Sequence, residues 1–105
     1  METQTIERTA LSNLIYNEDY TRKVLPFIKG NYFEVREERI IFEEIFNFVD
    51  KYKKIPTQTS LEIEVGERKD LSEIEYKKVV DIIKTLNPVE VDFDWLVDHT
   101  EKFCK

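Results

Sequence analysis

From Val35 to Tyr52 the chain places apolar residues three and four apart: Ile41, Phe42, Ile45, Phe46, Phe48, Val49 and Tyr52. At 100° per residue they fill about 160° of a helix circumference. Glu43, Glu44, Asn47, Asp50 and Lys51 occupy the remainder. A stripe that wide touches more than one neighbour, so this segment is expected to be the central helix of a bundle. Lys53-Lys54-Ile55-Pro56 ends it, because proline lacks the amide the next turn needs. The chain has only two glycines and three prolines. Sandwiches and barrels need many turn formers, so this scarcity points to an all-α fold. Hydrophobic content of 41% beside 36% charge excludes wholesale disorder.

The flanking segments supply the other helices. A first helix is expected from Thr3 to Tyr16, with Ile6, Ala10, Leu11, Leu14 and Ile15 on one side. Asn17 ends it or caps the next, from Glu18 to Ile28, whose Tyr20, Val24, Leu25 and Ile28 face inward. Pro26 should kink or shorten the last turn, and Gly30 suits a left-handed cap. Thr57 is a candidate cap for a short helix from Gln58 to Val65, buried through Leu61 and Val65. Gly66 to Asp70 reads as a charged turn. Ser72-Glu73-Ile74-Glu75 forms a capping box that opens a helix running to Leu86. That helix carries two adjoining stripes: Tyr76, Val80 and Ile83, then Val79, Ile82 and Leu86. After a connector, a last helix starts near Phe93 and carries Trp95, Leu96, Val97, Phe103 and Cys104. Its pattern is still running at Lys105, so the polypeptide is expected to continue. The expected architecture is a single domain of about six helices, a head over roughly residues 1–70 and an antiparallel hairpin over roughly 71–105.

Several chemistries are excluded. The formal net charge is −6. Gripping phosphates over a broad surface needs clustered cations, so little direct nucleic-acid binding is expected. Lys51, Lys53 and Lys54, and Arg22-Lys23, read as solvated helix faces. A single cysteine, Cys104, excludes an intrachain disulfide and suits a reducing cytosol. No apolar run approaches the roughly 20 residues that span a bilayer. The polar start is unlike a signal peptide, so a cytoplasmic location is expected. His99 lies about 500° of helix rotation from Cys104, so the two point apart and make neither a metal site nor a nucleophilic pair. Glu90, Asp92, Asp94 and Asp98 gather where a helix N-terminus favours negative charge. No G-x-x-x-x-G-K-[ST] phosphate loop is present, which argues against ATP hydrolysis by these residues. No catalytic, cofactor-binding or metal residue is assigned. The surplus lies on the Ser72–Leu86 helix, which has more apolar circumference than an edge helix can cover from one side. An interface is therefore expected on Tyr76, Val79, Val80, Ile83, Trp95 and Phe103.

The order of these segments resembles a known family. Leu11-Ser12-Asn13-Leu14-Ile15, followed by Tyr20 and Val24-Leu25, resembles the opening helices of the amino-terminal domain of DnaB-type replicative helicases. Phe33, with Arg39-Ile40-Ile41-Phe42 six residues on, resembles the start of that family's central helix. Lys54-Ile55-Pro56-Thr57, with Leu61 and Val65, resembles its loop and short helix. The stretch from Phe93-Asp94-Trp95-Leu96-Val97 through Thr100-Glu101-Lys102 is similar to the helicases of T-even-type phages. Bacterial members usually carry His where Glu38 stands, and often an Asp cap where Thr57 stands; both departures fit a phage branch.

The resemblance implies a non-catalytic collar domain in the host cytoplasm that helps form hexamers and contacts DNA primase or a helicase loader. It implies self-association as a dimer, or as a hexamer in the full-length protein. It places ATP and magnesium in a separate motor domain and no cofactor in this one. A free-standing helical phage adaptor, acting as loader or inhibitor on a ring made by another protein, is the alternative.

Overall fold

Local caps set the helix boundaries. The computed structural model describes the backbone of residues 2–88 and 90–103, and their side chains apart from those of residues 2–5, 31 and 103. The chain forms α1 (Glu2–Tyr16), α2 (Glu18–Val24), a 3-10 turn (Gly30–Tyr32), α3 (Arg36–Tyr52), α4 (Gln58–Gly66), α5 (Glu73–Thr85) and α6 (Phe93–Phe103), with no strand among the described residues. Asn17 caps α2, its Oδ1 accepting from the Tyr20 amide at 3.1 Å. Thr57 caps α4 and closes a reciprocal box with Ser60. Ser72 accepts from the Glu75 amide at 3.1 Å, and the Glu75 carboxylate accepts from the Ser72 amide at 3.3 Å. Those three starts follow the sequence.

Two stops differ from expectation. Pro26 halts α2 at Val24, and the amides of Phe27 and Ile28 turn back to the Val24 carbonyl at 3.0 and 2.9 Å. Ile28 stays buried although it lies outside the helix. No glycine has positive φ. Gly30 instead opens the 3-10 turn, beside the Arg39 stem. The Arg39 guanidinium caps the carbonyl of Phe33 at 3.2 Å. The left-handed residue is Lys53, φ 60°, whose amide closes α3 on the Val49 carbonyl at 2.8 Å.

As its wide stripe implied, α3 is central: it packs on α1, α4, α5 and the 3-10 turn. Ile40, Ile41, Phe42 and Ile45 are buried there. The Phe33 ring lies 5.3 Å from Phe42, and Tyr32 meets its edge at 5.0 Å. The last two helices pack mainly on other elements rather than on each other. Helix α5 packs on α3 and α4, while α6 packs on α2. On α5, Val79, Ile83 and the C-cap Leu86 are buried while Ile74 and Tyr76 stay exposed. The apolar side of α6, with Leu96 and Val97, is enclosed instead with the rest of the core. Thr100 Oγ1 donates to the Leu96 carbonyl at 2.8 Å, so its lone pairs face the Tyr20 hydroxyl at 2.7 Å. The radius of gyration, 12.9 Å, is that of one compact body of about 100 residues, near 13 Å. A head with a projecting hairpin would be larger.

The end of α5 has orphan carbonyls that side chains from other helices satisfy. The Gln58 amide donates to Ile83 at 2.9 Å and also to Leu86, and the Tyr16 hydroxyl donates to the Leu86 carbonyl at 3.3 Å. The buried Tyr20–Thr100 bond is the polar tie between α2 and α6. Replacing Tyr20 with Phe is expected to lower unfolding stability by about 1 kcal/mol in urea denaturation, with unchanged helical circular dichroism.

Candidate docking surface

The six residues marked by the sequence do not share one open face. Val79 and Ile83 are wholly enclosed and Val80 is 8% exposed, all covered by this chain's own helices. The width of the α5 stripe is therefore explained by burial between α3 and α4, and these three offer nothing to a partner. Tyr76 is 38% exposed and lies against the end of α4, its ring 3.4 Å from where a Gly66 Cβ would sit. Trp95 is 49% exposed on the first turn of α6, with its ring 5.3 Å from that of His99. The Phe103 side chain lies outside the described residues, as does Cys104.

A different apolar surface stands open along the second half of α3. Phe46 is 41% and Tyr52 46% exposed, although both belong to the stripe expected to be covered. Helix α2 stops after seven residues, just before Pro26, and the later turns of α3 are only partly covered: Val49 packs half-buried on the core while Phe46 and Tyr52 stay open. The result is an open cleft of about 400 Å³ between the two helices. Leu25, Pro26, Phe46, Val49 and Ile55 form its apolar part. Glu18, Arg22, Asp50, Lys53 and Lys54 supply polar groups of both signs. Beside it Phe48 and Tyr52 pack with ring centroids 4.7 Å apart, and Lys51 lies over Tyr52 at 5.2 Å. An apolar floor with a mixed-charge rim suits a protein side chain better than a phosphate. The sequence signal was the width of the α3 stripe together with Pro26; the two had to be combined.

Ion pairs brace the other side of α3. Arg68, in the turn after α4, holds Glu44 at 2.9 Å, Glu43 at 3.3 Å and Asp70 at 2.8 Å. Arg68 beside it holds the Asp70 carboxyl down to about 2 from its usual 3.8. Burial pushes the Glu44 carboxyl up, and the bond from Arg68 only partly offsets this. Arg36 also pairs with Glu75, tying the start of α3 to α5. The acids near α6 act locally: Asp92 Oδ1 accepts from the Trp95 amide at 2.8 Å and so caps the helix. Among the described residues no three His, Cys, Asp or Glu side chains converge to hold a metal ion, and no helix is long and apolar enough to cross a membrane.

With this geometry in place, comparison with known proteins defines the class: residues 1–93 match the family described as DnaB-like helicase N terminal domain. The chain is also 33% identical over 95 residues to the DnaB-like replicative helicase of Enterobacteria phage T4, which covers 90% of this chain. It spans 20% of that relative's length. The chain belongs to the DnaB-like helicase N-terminal domain family.

The Arg68 cluster gives two signed expectations. Asp70 has a depressed folded pKa, so its contribution is present above 3.8 and is lost as pH falls through about 2. Glu44 has a raised one, so its contribution runs the other way and is lost as pH rises. Arg68→Met is expected to destabilise by about 1–3 kcal/mol near neutral pH, by leaving the largely buried Glu44 without its cation. The deficit should shrink as acid protonates Glu44. Urea denaturation of both proteins across pH checks this.

Proposed function

We propose that this chain is a non-catalytic assembly and docking domain of a phage replicative helicase, helping copies join into a ring and presenting a surface to primase or a helicase loader. The observation that carries this reading is the open cleft whose apolar part is Leu25, Pro26, Phe46, Val49 and Ile55, with Phe46 exposed at its edge. Membership of the helicase family and the lack of a phosphate loop in the sequence support it. Hydrolysis of ATP with magnesium then falls to a separate motor domain. Trp95 and Tyr76 remain candidate contact residues at the rim of other faces.

One cleft of this size seats one or two side chains, well short of the roughly 800 Å² per partner of a stable interface. Each contact is therefore weak alone. Repetition around a ring multiplies it, because linked sites bind at high effective concentration. Low individual affinity suits partners that must be exchanged during replication.

Sedimentation velocity over a concentration series tests the self-association arm. Phe46→Asp is expected to weaken association at least about tenfold, as loss of an interface anchor does, while the circular dichroism melt stays intact. Trp95→Asp reports the second face in the same way. Ring assembly and primase retention by the intact protein carrying both changes would overturn the proposal. Reading the gene beyond Lys105 should reveal a phosphate-loop ATPase; a stop codon there would favour the adaptor alternative.

A further inference from the structure

Two acids are buried between α1 and α3 without a matching number of cations. Glu7 is 2% and Glu38 0% exposed. Glu7 Oε1 accepts from the Glu34 amide at 2.9 Å. Glu38 Oε2 accepts from Arg8 Nε at 2.8 Å. The second oxygen of each, Glu7 Oε2 and Glu38 Oε1, is buried with no hydrogen-bond partner. Both carboxyls lie at the start of α3: Glu7 is held by the Glu34 amide, and Glu38, four residues on, by Arg8, the chain neighbour of Glu7. Two ionised carboxylates have only lone pairs to offer each other, so as drawn the contact is repulsive.

One proton resolves the account. We propose that Glu7 and Glu38 share one proton, carried on Glu7 Oε2 and donated to Glu38 Oε1, making the pair a proton-dependent latch between α1 and α3. All four oxygens are then satisfied. Glu7 Oε1 accepts as a carbonyl from the Glu34 amide, and its hydroxyl donates. Glu38 remains the anion, holding Arg8 through Oε2 and accepting the new bond through Oε1. The assignment of the proton follows from the cation: Arg8 sits on Glu38, whereas Glu7 has only a backbone amide. Burial and the neighbouring charges of Glu38 and Glu34 push the Glu7 carboxyl up, with the Glu34 amide opposing.

Among the described residues, the charged groups around Glu7 are few. Glu38 faces it from α3, and Glu34 from the bend before α3. Arg8, on α1 itself, is turned to Glu38 and reaches Thr85 Oγ1 at the end of α5 at 3.4 Å. Arg39 is spent on the carbonyls of Phe33 and Glu34. None of these places a cation on Glu7. The latch thus joins α1 and α3 directly and α5 through Arg8. Because the folded pKa of Glu7 is raised, the contribution is fully present below the ordinary glutamate value and is lost as pH rises through the folded value.

The carboxyl ¹³C shift of Glu7 in the labelled chain reads the proton directly, and it is expected to keep the neutral-acid value to higher pH than an ordinary glutamate does. Glu7→Gln places an amide donor where the acid hydrogen lies and keeps an oxygen for the Glu34 amide. Its denaturation midpoint is expected to fall less steeply than the native one as pH rises above the ordinary glutamate range, keeping only the part due to Glu44. Glu7→Leu, which cannot donate, should fall below Glu7→Gln at every pH. A Glu7 carboxyl that titrates in the ordinary glutamate range would overturn the proposal. So would a Glu7→Gln midpoint that keeps the native pH dependence.

Discussion

Ile41, Phe42 and Ile45, together with Phe33, are enclosed where α3 meets α1, α4, α5 and the 3-10 turn. Each such side chain contributes about 1.5–3 kcal/mol on burial. Set against a net stability of roughly 5–15 kcal/mol for a domain, losing any one of them is a large fraction of the whole. Three of the other helices, α2, α4 and α6, are too short to be stable alone, since isolated helices below about 12–15 residues are marginal in water. Gln58–Gly66, for instance, has nine residues. It persists because Leu61 and Val65 reach the core and its first turn is capped by Thr57. Order in the bundle thus radiates from α3 rather than accumulating from independent pieces.

That dependence also explains where the bundle stops covering its own centre. The buried apolar residues of α3 all precede Phe46. Beyond that point a partner helix is needed, and α2 is the element on that side. Pro26 removes an amide and ends α2, and the chain turns away through Phe27 and Ile28. The open cleft is the geometric remainder of a long helix flanked by a short one. A docking surface built this way requires no special motif. It requires one helix to outrun its neighbour, and a proline enforces that.

Caps and periodicities were legible in the sequence because they are local. Asn17, Thr57 and Ser72 act within three residues of themselves, and each starts the helix expected of it. The central role of α3 was legible from the width of its stripe. The mates of α5 and α6 were not. A wide stripe states how much area must be covered but not by which helix, and burial between α3 and α4 satisfies α5 as fully as a second subunit would. Gly30 misled for a related reason: glycine permits positive φ without requiring it. The acids Glu7 and Glu38 were invisible because charged residues on helices usually face water. Only the crossing of α1 and α3 brings them together.

The two acid clusters of this fold show how burial selects the neutralising partner. At the edge, Arg68 has room to reach three carboxylates, and the exposed Asp70 stays ionised well into acid. Between α1 and α3 there is one guanidinium for two carboxyls, and it sits on Glu38. Bringing a second cation inside would add its own desolvation penalty of several kcal/mol. A proton carries positive charge into the same space with no added volume. Replacing both acids with apolar residues of similar size could preserve stability, as it does for many buried ion pairs. It would also erase the one contact between α1 and α3 whose strength depends on pH. An apolar pair would hold the two helices equally in any register that buries it, whereas the Glu34 amide, Arg8 and the shared hydrogen together admit only one.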